Sequence, residues 1–401
     1  MRFLLPLLLL SFGTLLLGAE ESGDALRRAA QAGDAHAMVR LGDAFFKGEG
    51  RPRNLELAAF WYRKAALEKK LPLGLYRYGV CREFGWGTDR DPREACALYE
   101  QSDRFGPARL RLAKLLLKGV PGNKQLPPLP PAQARAVERL RALCKDHYDP
   151  ALFELAKILY ADPLFRKSHA AEIYSLILQA SNTEQVSPEV LIFHARLLQD
   201  GVGTRPDPVY ARVLLELAAK QKDPEGMFRF AEILESGRGT PVRPEKAFAL
   251  YKEAAGKKHP GAVTRMGDYL LEGKFVPQDP AAAREHFRQA AEKGYPPALR
   301  KLGWCFENGI GGPKELREAF NFYERSAHLG DPRGNFHAGR CFLSGIGVKA
   351  DPAGAVFFFR RGAAQGDREA MLALADCLET GRGCARDPEL ARKARAAAER
   401  L

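Results

Sequence analysis

The sequence predicts an all-α chain of about ten helix-turn-helix repeats, and three observations carry that prediction. A Gly-x-Gly turn returns along the chain as FGWGTDRDP at Phe84, DGVGTRPDP at Asp200, SGRGTPVRP at Ser236, NGIGGPKEL at Asn308, SGIGVKADP at Ser344 and TGRGCARDP at Thr380. Aligned on these turns, first helices start near Ala35, Pro72, Gly106, Asp149, Pro188, Pro224, Pro260, Pro296, Pro332 and Arg368, and the last five intervals are all 36 residues. The eighth position of each copy holds only hydrogen or methyl: Gly42, Gly79, Ala113, Ala156, Ala195, Ala231, Gly267, Gly303, Gly339 and Ala375. Self-similarity at such a period marks a repeat array, and it settles what each glycine means before any motif is given a function.

The first nineteen residues, MRFLLPLLLLSFGTLLLGA, carry one arginine, an apolar stretch from Phe3 to Leu17 and a small-residue end. They read as a signal peptide over 1–19, with an uncleaved anchor as the lesser reading because Leu17 suits the cleavage site poorly. The expectation is an exported protein, periplasmic or secreted, with no integral membrane segment after signal removal. Residues 20–34 contain GDALRRAAQAGD, a second helix without its first, expected to cap the array. The array fills 35–401, in copies 35–71, 72–105, 106–148, 149–187, 188–223, 224–259, 260–295, 296–331, 332–367 and 368–401.

Within a copy the apolar residues keep helical spacing, as Leu299, Leu302, Cys305 and Phe306 do in PPALRKLGWCFEN. The first glycine of the turn ends that helix in the left-handed conformation. Asp-Pro starts the second, as at Asp207-Pro208, Asp279-Pro280, Asp351-Pro352 and Asp387-Pro388, because aspartate caps free N–H groups and proline fits the first helical position. The turn is therefore punctuation, and it lacks the third glycine and the preceding strand of a dinucleotide site. The small eighth position, and alanine again at Ala58, Ala95, Ala211, Ala247, Ala283, Ala319, Ala355 and Ala391, predict a close meeting of two helices, with another backbone against the eighth residue.

These residues resemble the Sel1-like repeat family, a relative of the tetratricopeptide repeat. Its unit reads A-x-x-x-L-G-x-x-Y/F-x-x-G-x-G-V, then D-x-x-K-A, then Y-x-K-A-A. AEKGYPPALRKLGWCFENG and PEKAFALYKEAAGK match it, and the resemblance covers about Asp24 to Leu401. It implies a right-handed α/α solenoid whose first helices line a concave surface. Two copies depart from the pattern. The third has the long turn GVPGNKQLPPLPPAQ and the fourth, ADPLFRKSHAAEIY, lacks Gly-x-Gly, so irregularity is expected between Gly119 and Pro188.

The formal charge of +13 is spread along the chain rather than gathered in an arm, which argues against nucleic acid and for acidic proteins, envelope polymers or anionic surfaces. Of the seven cysteines, Cys81, Cys305, Cys341 and Cys377 share the tenth position and read as buried small hydrophobes. Bridges Cys377–Cys384 and Cys81–Cys96 both stay open. A cysteine-rich branch of the family staples each repeat through C-x7-C; that spacing is absent, so neither its disulfides nor its suggested penicillin-binding activity carries over. The eight histidines form no metal-ligand spacing, and no cofactor is implied. LPPLPP at Leu126 reads as a stiff surface connector rather than a polyproline ligand.

The resemblance turns attention to the first helices. Their fifth positions form an apolar stripe that includes Tyr76, Phe153, Ile192, Phe228 and Phe336, and the ninth include Lys114, Lys157, Arg196, Trp304 and Arg340. Together they suit a peptide segment with hydrophobic anchors and an acidic residue; the plainer reading is that they pack between copies or sit solvated. The resemblance implies a protein-protein interaction adaptor or scaffold holding a partner segment in this groove, and no enzyme. The alternative is a cell-wall enzyme or wall-polymer binder of the β-lactamase or penicillin-binding kind, which lacks a nucleophile and base here. A third reading is a structural spacer.

Overall fold

The structure, a computed structural model, describes residues 25–400 apart from 103, 118–130 and 184. The expected signal peptide and the proline-rich turn lie outside the described residues. The chain forms two compact units, 1–183 and 184–401, and the described residues are helical with no strand.

The first unit runs α1 (25–31), α2 (Ala35–Lys47), α3 (Leu55–Arg63), α4 (Pro72–Phe84), α5 (Pro92–Gln101), α6 (Gly106–Leu117), α7 (Pro131–Lys145), α8 (Pro150–Ala161), α9 (Pro163–Ser168) and α10 (Ala170–Ser181). Consecutive helices pair as α2/α3, α4/α5, α6/α7 and α8/α10. The first copy is 37 residues long, and its extra residue is absorbed by a π-helical turn, Lys64–Glu68, that continues α3. In the fourth copy the missing Gly-x-Gly is replaced by α9, whose cap Asp162 accepts hydrogen bonds from the Leu164 and Phe165 N–H groups. In the fourth copy the expected irregularity is thus an inserted short helix.

The second unit is regular: α11 (Pro188–Asp200), α12 (Pro208–Lys220), α13 (Pro224–Ser236), α14 (Pro244–Gly256), α15 (Pro260–Glu272), α16 (Pro280–Glu292), α17 (Pro296–Asn308), α18 (Leu316–His328), α19 (Pro332–Ser344), α20 (Pro352–Ala364), α21 (Arg368–Thr380) and α22 (Pro388–Glu399). Each helix packs on its neighbours in sequence, and the first helices α15, α17, α19 and α21 also touch one another in order. The two glycines of a turn do different work. Gly345 takes the left-handed conformation, φ 71°, that ends α19. Gly347, φ 69°, lies so close to α18 that a Cβ there would stand 1.9 Å from the Leu316 carbonyl oxygen. Phe275 occupies that second position in the seventh copy at φ 64°, a conformation costly for an aromatic residue, with its ring against Phe248 at 5.2 Å and Tyr269 at 5.6 Å.

The eighth position is small for a reason other than the expected one. A Cβ on Gly42, Gly79, Gly267 or Gly339 would lie 2.5–2.6 Å from a ring atom of Tyr62, Tyr99, Phe287 or Phe359, and on Gly303 2.9 Å from Tyr323. An aromatic side chain of the second helix covers each glycine, and only at Gly303 does the expected backbone come equally near, the Ala319 carbonyl oxygen standing 3.0 Å from such a Cβ. These rings are nearly all buried completely and form the core between the paired helices. Where the ring is a tyrosine its hydroxyl needs a partner, and it finds one on the first helix. Tyr99 donates to Glu83 at 2.9 Å, Tyr251 to Glu235 at 3.1 Å and Tyr323 to Glu307 at 2.7 Å. A cation of the following copy closes each cluster: Arg111 on Glu83, Arg265 on Glu235 and Arg340 on Glu307.

Candidate functional site

The clamp between copies is missing around the seventh and ninth. There the ring is Phe287 or Phe359, and the position of the glutamate holds Leu271 or Leu343. With leucine in place of the glutamate, the ninth position of the eighth copy is Trp304, which stays 41% exposed, while Asp268 of the seventh copy is taken up by Lys301. A cleft of about 520 Å³ opens at this place in the second unit. Leu271, Phe287, Trp304 and Phe336 make its apolar wall, and all but Phe287 come from first helices. Charged groups edge it. Lys301 is held by Asp268 at 2.7 Å and Arg300 by Asp331 at 2.8 Å, whereas Arg333, Glu272 and Glu369 make no ion pair among the described residues. Such a cleft suits a short segment with a large apolar anchor, fixed in register by charge.

Of the residues singled out from sequence, the structure brings Trp304 and Phe336 into this cleft, together with Arg300, which holds the fifth position of the eighth copy. Others are placed differently. Phe228 is 4% exposed, covered by Tyr251 and by His259 at 4.7 Å; it is a core residue and cannot line a groove. Lys114 and Lys157 do not form a free cationic patch, since both meet Glu154, at 2.9 and 3.0 Å. Burial pushes the Glu154 carboxyl up, but hydrogen bonds from the two lysines outweigh it and leave the group below its usual range. Lys157 also lies over the Phe153 ring at 4.5 Å, and Arg196 lies 3.8 Å from Asp200. Arg340 belongs to the Glu307 clamp. Tyr76 is half-buried against Phe105 at 5.4 Å, and Ile192 is half-buried. Columns five and nine missed Glu154 because it stands at position six, one turn from Lys157 and facing the previous copy.

His337, also missed, lines the cleft and stacks on Tyr323 at 4.6 Å. Burial first, then the charges of Arg340 and Arg300, push its pKa down to about 4 against the smaller pull of Glu307 and Asp331. Between pH 6.5 and 4 the unfolded imidazole binds a proton that the folded one refuses, so this contribution is full above pH 6.5 and is lost as pH falls. Removing it, as His337→Phe, is expected to flatten the second unit's thermal stability across that window by about 2 kcal/mol, a value reduced for the part of the ring that water reaches. Melting curves from pH 4 to 7 check it; parallel curves for the two proteins would refute it.

The Sel1 repeat pattern matches residues 35–69, 72–102, 188–223, 224–259, 260–295, 296–331, 332–367 and 368–393, about two thirds of the chain. The chain belongs to the Sel1 repeat family. The third and fourth Sel1 copies, where the turn is long or lost, fall outside the match. An uncharacterized Sel1-like repeat-containing protein of Schizosaccharomyces pombe is 34% identical over 64 residues, which is 16% of this chain and 10% of that protein. Among solved structures, c5321, a protective antigen of uropathogenic Escherichia coli strains displaying an SLR fold, is 20% identical over 94% of this chain and 90% of its own, with a TM-score of 0.57. A Sel1 repeat protein from Oxalobacter formigenes is 23% identical, over 59% of this chain and 93% of that one, with a TM-score of 0.49.

Sel1 repeats are protein-interaction modules, and the chemistry available in this array fits that class. Among the described residues no group of three or more His, Cys, Asp or Glu could hold a metal ion, and no helix is long and apolar enough to cross a membrane. All seven cysteines are free thiols. Burial pushes Cys81, Cys96 and Cys305 up to about 11 and Cys341 to about 12, so they pack as small apolar groups. The Cys377–Cys384 bridge left open above is not formed: the Cys384 thiol instead lies 3.7 Å from the Cys377 carbonyl oxygen, at the end of α21.

Proposed function

We propose that this Sel1 array is an exported adaptor that holds a segment of a partner protein in the cleft around Trp304. The exposed Trp304 beside Phe336, where the clamp between copies has been given up, is the observation that carries the reading. Large aromatics in a pocket are the usual energetic centre of an interface, and an unpaired arginine at its edge adds direction. The segment that fits has a bulky apolar anchor for the wall and an acidic residue for Arg333, with Glu272 and Glu369 repelling further negative charge. The leader-like residues 1–19 support export.

Proximity cross-linking in the native host, comparing the parent with Trp304→Ala/Phe336→Ala, tests this after circular dichroism has matched the two. Loss of a specific partner from the extracytoplasmic fraction, by tenfold or more, is expected. An unchanged catch would exclude the cleft, and a catch confined to the cytoplasm would exclude export.

A further inference from the structure

The first unit carries a second surface, of a different kind, on the outer side of α3. Leu57, Phe60 and Leu67 are 40, 46 and 45% exposed, and their spacing places them on one face of the helix with Lys64 between them. In α5, α14, α16 and α18 the residues equivalent to Phe60 are Ala97, Ala249, Glu285 and Asn321, as expected for a helix facing water; α12 and α20 expose Val213 and Phe357 there, but the residues flanking Phe357 that correspond to Leu57 and Leu67 are Gly354 and Ala364, so α20 carries no stripe. Leu67 stands where the first copy gains its extra residue. The π turn that absorbs the insertion presents this leucine to solvent, although a shorter copy would have kept ordinary helical geometry.

Cations flank the stripe. Arg63 and Lys64 stand within its span and Lys69 and Lys70 just past the π turn, against Glu56 and Glu68 in the same stretch, and Arg27 and Arg28 are exposed on α1, which packs on the same core. None of the six makes an ion pair among the described residues, and only Lys64 has an aromatic partner, over the Phe60 ring at 5.4 Å and that of Trp61 at 5.8 Å. Across residues 25–70 there are ten Lys or Arg against five Asp or Glu. Three of those five acids are occupied: Asp34 caps α2, Asp43 holds Tyr62 and Arg77, and Glu49 pairs with Lys47. The contrast with α12 is instructive. It also exposes Tyr210, Val213 and Leu217, but its Arg212 and Lys220 are both neutralised by Glu216.

We infer that the outer face of α3 is a docking surface for an anionic lipid bilayer. An exposed row of apolar side chains on a helix exterior, with cations in excess of acids and outside any ion pair beside it, matches what an anionic membrane presents: a shallow apolar layer beneath negative headgroups. A cleft would suit a peptide better, and this face is a helix exterior. The assignment is independent of the Trp304 cleft, which lies in the other unit. In the adaptor reading it would hold the array at a membrane while the cleft engages its partner.

The test is co-sedimentation of the full chain with vesicles of phosphatidylcholine containing phosphatidylglycerol, and with phosphatidylcholine alone, at two salt concentrations. Soluble polyglutamate serves as an acidic-polypeptide probe. Binding through the apolar residues 1–19 would be common to every protein compared and present with phosphatidylcholine alone, so the quantity compared is the part of the binding that needs phosphatidylglycerol and weakens with salt. Binding to the anionic vesicles that weakens with salt is expected, falling about tenfold in Lys69→Glu/Lys70→Glu and in Phe60→Ser/Leu67→Ser with helicity unchanged. Equal binding by the parent and both variants would overturn the proposal. So would binding to polyglutamate but not to vesicles, which would reassign the face to an acidic protein.

Discussion

Gly339→Val is expected to destabilise the second unit by about 3 kcal/mol or more, lowering its melting temperature by roughly 6 to 12 °C. The first added carbon alone would stand 2.5 Å from Cε1 of Phe359, which is 1% exposed and has no room to turn aside. A flexible side chain could yield; a buried ring locked between two helices cannot without moving one of them. The same packing specifies its own rescue. The fifth copy has alanine in this place, Ala195, and twenty residues on it has Leu215 rather than an aromatic ring. Gly339→Ala is therefore expected to cost less than valine, and Gly339→Ala/Phe359→Leu to recover part of that loss, giving a favourable coupling energy in a double-mutant cycle. Thermal and denaturant unfolding measure all three. If the two changes simply added, the ring would not be what confines the eighth residue.

This prediction marks how far the sequence could be read. The repeat, its turns, its caps and the burial of Cys81, Cys305, Cys341 and Cys377 were legible because each depends on one column of the alignment. A left-handed C-cap favours glycine and an N-cap favours a short polar side chain such as aspartate, whatever stands elsewhere. The core and the clamps depend on pairs of columns. Glycine at position eight goes with an aromatic residue twenty residues later in Gly42/Tyr62, Gly79/Tyr99, Gly267/Phe287, Gly303/Tyr323 and Gly339/Phe359. That correlation was present in the sequence, and reading the columns singly turned it into a backbone contact. The candidate site shows the same division. Trp304 and Phe336 were found by their column, but Phe228, in the same column as Phe336, is buried because Tyr251 and His259 cover it. A neighbour's side chain decides whether a position is groove or core, and one column does not contain the neighbour.

The clamps carry the second large expected effect. Glu307→Leu is expected to cost about 2 to 4 kcal/mol, because it leaves the Tyr323 hydroxyl and the Arg340 guanidinium beside it without their acceptor. Burial is the largest of the causes that hold Tyr323 well above the ordinary tyrosine range, ahead of the hydrogen bond and charge of Glu307, and burial remains when Glu307 is removed, which opposes ionisation of the phenol beside the arginine. Removing all three polar groups, as Glu307→Leu/Tyr323→Phe/Arg340→Leu, is expected to restore most of the stability. The chain already contains the apolar version twice, in Leu271/Phe287 and Leu343/Phe359, and the helices pair there in the same way. Denaturant unfolding of the single and triple variants distinguishes the two interpretations of a clamp. If the triple variant is as unstable as Glu307→Leu, the ion pair itself holds the eighth and ninth copies together. If it recovers, the clamp adds little net stability, and apolar packing between the paired helices is what holds the two copies together.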